Sequence, residues 1–235
     1  MEFLRLTNMA QPKKIYKGVY LVGGSSLTSP GDCSFFAVEV GAGRIVLIDC
    51  GVGDGHSALS RNLRYIDYSL RDIDTLILTH CHIDHVGDAN RIQKESGCRV
   101  VAHWGDSDAI EGRRPELIAA SWYGVEYNPV KIDWVLRGDL AELKIGEIKF
   151  KCIHTPGHTP GSIAVLIDLE GKKILFGQDI HGPFEASWGS DMNQWRSSMN
   201  KLLGLKADIL CEGHFGVFMG AEAVKMYIKS YLDRY

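Results

Sequence analysis

Thr79-His80-Cys81-His82-Ile83-Asp84-His85 places three imidazoles and a carboxylate within six residues, directly after the apolar run Thr75-Leu76-Ile77-Leu78. A neutral imidazole offers one lone pair and a carboxylate a hard anionic oxygen, the donor mix that holds zinc or non-haem iron. Spacing says more than number. His80 and His82 alternate, so on an extended segment their side chains leave the same face. Asp84 and His85 follow where the chain turns and can aim at a second point. One segment therefore offers half-sites for two ions a few ångströms apart.

Outward from this segment, other apolar runs end alike. Arg44 to Ile48 ends at Asp49. Glu147 to Ile153 leads into Thr155-Pro156-Gly157-His158-Thr159-Pro160-Gly161. Lys173 to Phe176 leads to Gly177-Gln178-Asp179, and Asp208 to Cys211 leads to Glu212-Gly213-His214. Together with Thr75 to Thr79, five strands each deliver an Asp or a His just beyond the same end. In a layered fold such ends lie along one rim, where sites usually form.

The remaining chain alternates short β-rich runs with helical stretches. Gly18 to Val22, Ser34 to Val40 and Arg99 to His103 complete the strands of the first half, with helices at Asp54 to Tyr68 and His85 to Ser96. Glu142 to Ile145 and Ser162 to Ile167 complete those of the second half, with hairpin-like turns at Gly146 and Gly171. Helices follow near Met192 to Leu203 and Ala221 to Leu232. The last carries Val224, Tyr227, Ile228, Tyr231 and Leu232 as one apolar stripe, the mark of a helix packed on a sheet. Antiparallel strands interrupted by helices in both halves predict two sheets face to face with helices outside. Nothing divides the chain, so one domain over 1–235 is expected. Trp104 to Trp134, with Trp122, Tyr123, Tyr127 and Pro129 and weak periodicity, reads equally as a lid inserted at about 104–134 or as a surface helix with anchoring aromatics.

The HxHxDH cluster followed by a distant His, an Asp and a His resembles the metallo-β-lactamase-fold superfamily over nearly the whole chain. The turn Thr155 to Gly161 and the corner Gly177 to Asp179 resemble its glyoxalase-II-like branch. The resemblance implies an αβ/βα four-layer sandwich of two mixed β-sheets flanked by helices. It implies a first metal on His80, His82 and His158, a second on Asp84, His85 and His214, and Asp179 shared by both. Asp49 matches the acid that orients such a site without ligating. Two divalent ions, zinc first with iron or manganese as alternatives, would hold a hydroxide between them and polarise the carbonyl it attacks. Asp84 is the candidate for the nucleophile's proton, and His181 is the candidate for contacting or protonating substrate. His56, His103 and His154 match no ligand position and read as polar surface or hydrogen-bonded residues. Alternation turns Cys81 away from the metal face, into packing.

Departures from the relatives narrow the reaction. About twenty residues follow His214, so the helical domain with which glyoxalase II grips glutathione is missing as the sequence is read. The lactonases' Tyr after the bridging Asp is replaced by Ile180-His181-Gly182, and the second-metal Cys of the best-known β-lactamases by the shared Asp179. The expected activity is hydrolysis of an ester-like bond, a thioester or lactone, on a small or medium acyl compound with an apolar portion. Two aromatic groups, Trp122, Tyr123 and Tyr127 and then Phe184, Trp188 and Trp195, would hold it, although Trp195 also joins Met192, Met199 and Leu202 in a helix stripe that reads equally as core. The alternative is an iron-dependent oxidoreductase resembling the persulfide dioxygenases.

The 235 residues are 45% hydrophobic and 23% charged, with a formal net charge of -3. A basic face for phosphates is not indicated, so nucleic acid is not an expected partner. No apolar run is long enough for a membrane span, and Met1 to Lys14 lacks a signal-peptide core. Six scattered cysteines without a CxxC pair read as thiols of a reducing cytosol. The expectation is a cytoplasmic protein with a small-molecule substrate, no membrane, and a possible homodimer.

Overall fold

The computed structural model describes residues 10–235. The first nine residues, part of the leader reading, lie outside the described residues. Seven strands in sequence order make the first sheet: β1 (Lys13–Tyr16), β2 (Val19–Gly23), β3 (Phe35–Gly41), β4 (Arg44–Ile48), β5 (Ile73–Ile77), β6 (Arg99–His103) and β7 (Trp134–Leu136). β1 to β4 run antiparallel and β4 to β7 parallel. Parallel neighbours need crossovers, supplied by α1 (His56–Tyr65) between β4 and β5 and by α2 (Ile83–Val86) and α3 (Ala89–Ser96) between β5 and β6.

The second sheet has the order β13 (Val217–Met219), β12 (Ile209–Glu212), β11 (Lys172–Gln178), β10 (Ile163–Leu169), β9 (Ile148–His154), β8 (Leu140–Ile145). Only β11 and β12 pair in parallel there, joined through α6 (Met192–Gly204). The β10–β11 hairpin turns on Glu170 and Gly171, both at positive φ (51° and 77°). Such a two-residue turn matches the right-handed twist of the strands it joins. α4 (Trp104–Ile110) and α5 (Ala120–Tyr123) lie between β6 and β7, and α7 (Ala221–Arg234) ends the chain.

Alternation along each strand builds the layers. In β4, Val46 and Ile48 face the other sheet while Ile45 and Leu47 face helices, and all four are buried. Burial on both faces explains why the run is continuously apolar. Between the sheets, Phe36, Val38, Val46, Ile48 and Ile77 meet Phe150, Val165, Ile174, Phe176 and Cys211. The Phe36 and Phe176 rings meet edge-on at 5.4 Å. Leu47, Leu76 and Val100 pack outward against α1, α3 and α4. Leu166, Leu175 and Leu210 pack against α6 and α7, where Val224 and Ile228 of the expected stripe are buried. The four-layer sandwich of two mixed sheets flanked by helices is the architecture found.

Several local expectations are corrected. β1, β7 and β13 had no reading, being three or four residues long, and β8 begins at Leu140. The helix expected over His85 to Ser96 is two, because Asp88 N donates to Gly51 O while the Asp84 and His85 carbonyls accept from Cys33 N and Cys50 N, so the helical ladder is interrupted there. The segment after β6 anchors Ala109, Ile110, Leu117, Ile118, Val130 and Ile132 in the core against the first sheet's helical face, while Trp122 and Tyr123 stay exposed. No helix among the described residues is long and apolar enough to cross a membrane.

Candidate metal centre

β4, β5, β9, β11 and β12 end on one rim, and the loops beyond them converge. Asp49 follows β4 at φ 61° and Gln178 ends β11 at φ 46°. Left-handed backbone at non-glycine residues costs on the order of 1 kcal/mol. Here it turns the chain sharply and aims Asp49 and Asp179 across the rim. Asp179 is fixed further by its amide donating to Gln178 Oε1 at 2.6 Å. β11 and β12 pair with Gln178 opposite Glu212, which sets Asp179 beside Gly213 and His214. Ile163 N donates to Thr79 O at 2.8 Å, tying the two sheets together at this point.

Two donor sets result. His82 Nδ1 lies 3.2 Å from His80 Nε2 and 2.9 Å from His158 Nε2. Asp179 Oδ2 faces this set, 3.5 Å from His158 Nε2 and 3.9 Å from His80 Nε2. Asp179 Oδ1 faces the other, 3.2 Å from His85 Nε2 and 3.3 Å from His214 Nε2. Asp84 Oδ2 closes that set at 3.1 Å from His214 Nε2 and 3.6 Å from His85 Nε2. Ligand atoms around a tetrahedral ion with bonds of about 2.0–2.1 Å sit about 3.3 Å apart. Both sets match that spacing, and each could hold an ion. His85 Nε2 and Asp179 Oδ1 are buried and unpaired by any hydrogen bond, as donors aimed at a cation would be. The outward His82 Nε2 and His158 Nδ1 are also buried without a hydrogen bond.

Tautomers are set from behind. Asp49 accepts from Thr79 N, from the Thr79 hydroxyl and from His85 Nδ1 at 2.7, 2.7 and 2.8 Å. A carboxylate can only accept, so His85 presents its Nε2 lone pair to the cluster. Because the Thr79 hydroxyl hydrogen is spent on Asp49, its oxygen accepts from His80 Nδ1 at 3.2 Å and frees His80 Nε2 likewise. This places Asp49 where an orienting acid acts and not among the converging donors.

Charge separates the two sets. Burial, reinforced by neighbouring imidazoles, holds His80 well below its ordinary range. Burial likewise lowers His82 and His158 to about 3, the neutral state that ligates. Burial also opposes protonation of His85 and His214, but Cys33 and the carboxylates around His85, and Asp179 and Asp84 around His214, more than offset it, taking His85 well up and His214 to about 10. Burial would raise Asp179, yet His214 and His85 draw it well below the usual carboxylate range. With Asp49, Asp84 and Asp179 crowded and buried, this end of the site is built for positive charge.

The cluster floors a cavity of about 220 Å³ walled by Ala119, Trp122, Tyr123, His181, Pro183 and Trp188. Trp122 packs edge-on against Trp188 at 4.5 Å and Trp188 against His82 at 4.7 Å. Tyr127 does not join them: its hydroxyl donates to Ile110 O, away from the cavity. Trp195 is core, with Nε1 donating to Ile180 O. Phe184 lies behind the wall, against Trp195 and Tyr235. Cys81 is buried packing, as alternation implied. His56, His103 and His154 are hydrogen-bonded residues, the second of the two readings. His56 is buried between Asp88 and Glu95, and His103 is buried in a stack with His154 at 3.9 Å.

Two acids escaped the sequence reading. Asp106, on α4, is buried and accepts from Cys81 N (2.9 Å), the Thr159 hydroxyl (2.7 Å) and Gly161 N (2.7 Å). It thereby ties the His80–His82 segment to the His158 loop, and no periodic signal in its weakly patterned segment could have shown this. Glu212 is fully buried and accepts from His181 Nδ1 at 2.9 Å. Its position two residues before His214, ending an apolar strand, was a usable signal.

The architecture and the dyad of donor sets define a class, and the chain belongs to the metallo-beta-lactamase superfamily, whose family model matches residues 28–214. Among curated relatives, it is 28% identical over 179 residues to an uncharacterized protein of Mycobacterium tuberculosis, spanning 69% of this chain and 78% of that one. It is 29% identical over 192 residues to a probable metallo-hydrolase of Methanocaldococcus jannaschii, spanning 78% and 89%. Among solved structures, a Cronobacter sakazakii metallo-beta-lactamase with a HARLDQ motif superposes with TM-score 0.80, covering 96% of each chain at 19% identity. That likeness is one of fold.

Proposed function

We propose that this protein is a dinuclear metal-dependent hydrolase of an ester-like bond, a thioester or lactone in a small acyl compound. The observation that carries the reading is Asp179, which turns one oxygen to each of two complete donor sets at the floor of an aromatic cavity. His80, His82, His158 and Asp179 would hold one ion, and Asp84, His85, His214 and Asp179 the other. Divalent ions bound there would supply an activated water and a Lewis-acid hold on the substrate carbonyl.

This chain's residues do the rest. Asp49 and Thr79 hold two imidazoles in the ligating tautomer. Asp84 presents a carboxylate at the cavity floor, where it can accept a proton from the attacking water. Trp122, Tyr123 and Trp188 exclude water and bury an apolar acyl portion. None of the cavity-lining residues is a lysine or arginine. Arg113 pairs with Asp108 and Glu111, Arg114 with Glu116, and Arg196 donates to Leu232 O. A phosphodiester would therefore lack a cationic clamp from the protein.

The test is a panel of thioesters, lactones, a phosphodiester and a β-lactam, with zinc, manganese or iron restored and metal content measured in parallel. Two equivalents of metal and thioester or lactone turnover rising with acyl length are expected. His214→Ala should lose one equivalent and most turnover. A single equivalent of iron with oxygen uptake on a persulfide would replace this reading by the oxidoreductase one.

A further inference from the structure

His181 stands in the cavity wall two residues beyond Asp179, and only one of its ring nitrogens is engaged. Nδ1 meets Glu212 Oε1 at 2.9 Å, while Nε2 makes no protein hydrogen bond among the described residues. Glu212 is 0% exposed, and its other oxygen accepts from the backbone amides of His214 and Phe215, both at 2.7 Å. Three donors fix it, and the buried Tyr227 hydroxyl lies beside it. Two of the donors are backbone amides that cannot reverse direction, and the third is the imidazole.

A carboxylate only accepts, so the neutral imidazole must carry its proton on Nδ1 and expose a lone pair on Nε2. The rings of His214 and Phe215 pack edge-on against His181 at 5.1 and 4.7 Å and hold its plane. From these contacts we infer that His181 presents a fixed hydrogen-bond acceptor to substrate. Glu212 is the residue that positions it, and the site selects acyl compounds carrying an O–H or N–H donor near the scissile carbonyl. The inference rests on the hydrolytic reading of the same site and adds to it the polarity of one subsite. The acceptor complements ions held by the two donor sets, which would engage only lone pairs of the substrate.

Glu212→Gln makes a sharp test. The glutamine has one oxygen, which the two backbone amides claim, so its NH₂ faces His181 Nδ1. The imidazole must then move its proton to Nε2, and the subsite changes from acceptor to donor. Two readouts follow.

In two-bond ¹H–¹⁵N correlation spectra of ¹⁵N-labelled, zinc-loaded protein, His181 should be the Nδ1–H tautomer in the wild type and the Nε2–H tautomer in Glu212→Gln. With a thioester bearing a hydroxyl on its acyl chain and the matched O-methyl ether, the wild type should favour the hydroxyl compound. The preference should be on the order of tenfold in kcat/KM, the worth of one hydrogen bond, and carried mainly by KM. It should collapse toward unity in Glu212→Gln and in His181→Phe, which leaves the Glu212–backbone bonds in place. A wild-type His181 protonated on Nε2, or a preference that survives both substitutions, overturns the inference. Should Glu212→Gln not fold, the wild-type spectrum and His181→Phe decide it. Failure of the hydrolytic reading shows separately, as no thioester or lactone turnover in the wild type itself, and the spectra then judge the subsite alone.

Discussion

At the residue scale, the site depends on acids that touch no ligand-facing atom. Asp106 is the clearest case, because its carboxylate is the shared acceptor for the segment holding His80 and His82 and for the loop holding His158. Burial raises its pKa, and three donors hold it in place. Asp106→Asn turns an NH₂ toward at least one of those donors. Such a mismatch costs about 1–3 kcal/mol. The expected outcome is a lower denaturation midpoint with an unchanged m-value, and weaker retention of the metal on the His80, His82 and His158 set than of its neighbour. Dialysis against a graded chelator followed by elemental analysis measures that difference. Equal retention at both sets, with an unshifted midpoint, would show that Asp106 does not couple the two loops.

At the element scale, the start of α6 is the buttress of the His158 loop. Asp191 caps the helix by accepting from Asn193 N and Gln194 N, and its own amide donates to Gly157 O at 2.9 Å. The Ser190 hydroxyl donates to His158 O and that of Ser198 to Pro156 O, both at 2.7 Å. Gly157, at φ 131°, lies so close to the backbone of Trp195 that a Cβ there would overlap its nitrogen and α-carbon. Gly157→Ala must therefore push α6 from the loop or distort the loop. With strained backbone added, the expected loss of stability is about 2–4 kcal/mol. Denaturant unfolding reads that loss, and elemental analysis of the purified variant reads the accompanying loss of the first metal. A variant with wild-type stability and two equivalents of metal would place the buttress elsewhere.

At the scale of the whole molecule, folding gathers Asp49, Asp84 and Asp179 into one buried region of negative charge. Crowded carboxylates destabilise a fold unless cations join them. Metal binding should therefore stabilise the native state measurably. At a hundredfold excess of ion over Kd, each site contributes about 2.7 kcal/mol, or about 5–10 °C in Tm for a chain of this size. Thermal unfolding of chelated protein with and without added zinc or manganese checks this. A Tm indifferent to every divalent ion would mean that the rim holds none.

The donor inventory and the layered architecture were both legible in the order of residues. Strand ends are local: an apolar run of four or five residues leading to Asp or His was legible at Asp49, His80, Asp179 and His214 without any knowledge of their neighbours. The apolar stripe of α7 was legible for the same reason, since periodicity is a property of consecutive residues. What sequence could not supply is pairing across distance. Nothing in the order of residues states that β11 and β12 lie parallel with Gln178 opposite Glu212, which is what seats His181 on Glu212 and Asp179 between two donor sets. Short edge strands such as β7 and β13 carry too few residues for a periodic signal, and form because a neighbouring strand offers unpaired backbone groups. The helix stripe of Met192, Trp195, Met199 and Leu202 hinted that Trp195 is core, but Tyr127 had the same aromatic character as Trp122, and packing alone assigned one to the core and the other to the cavity wall. Side-chain chemistry is written locally, whereas its direction is fixed by contacts between segments far apart in the chain.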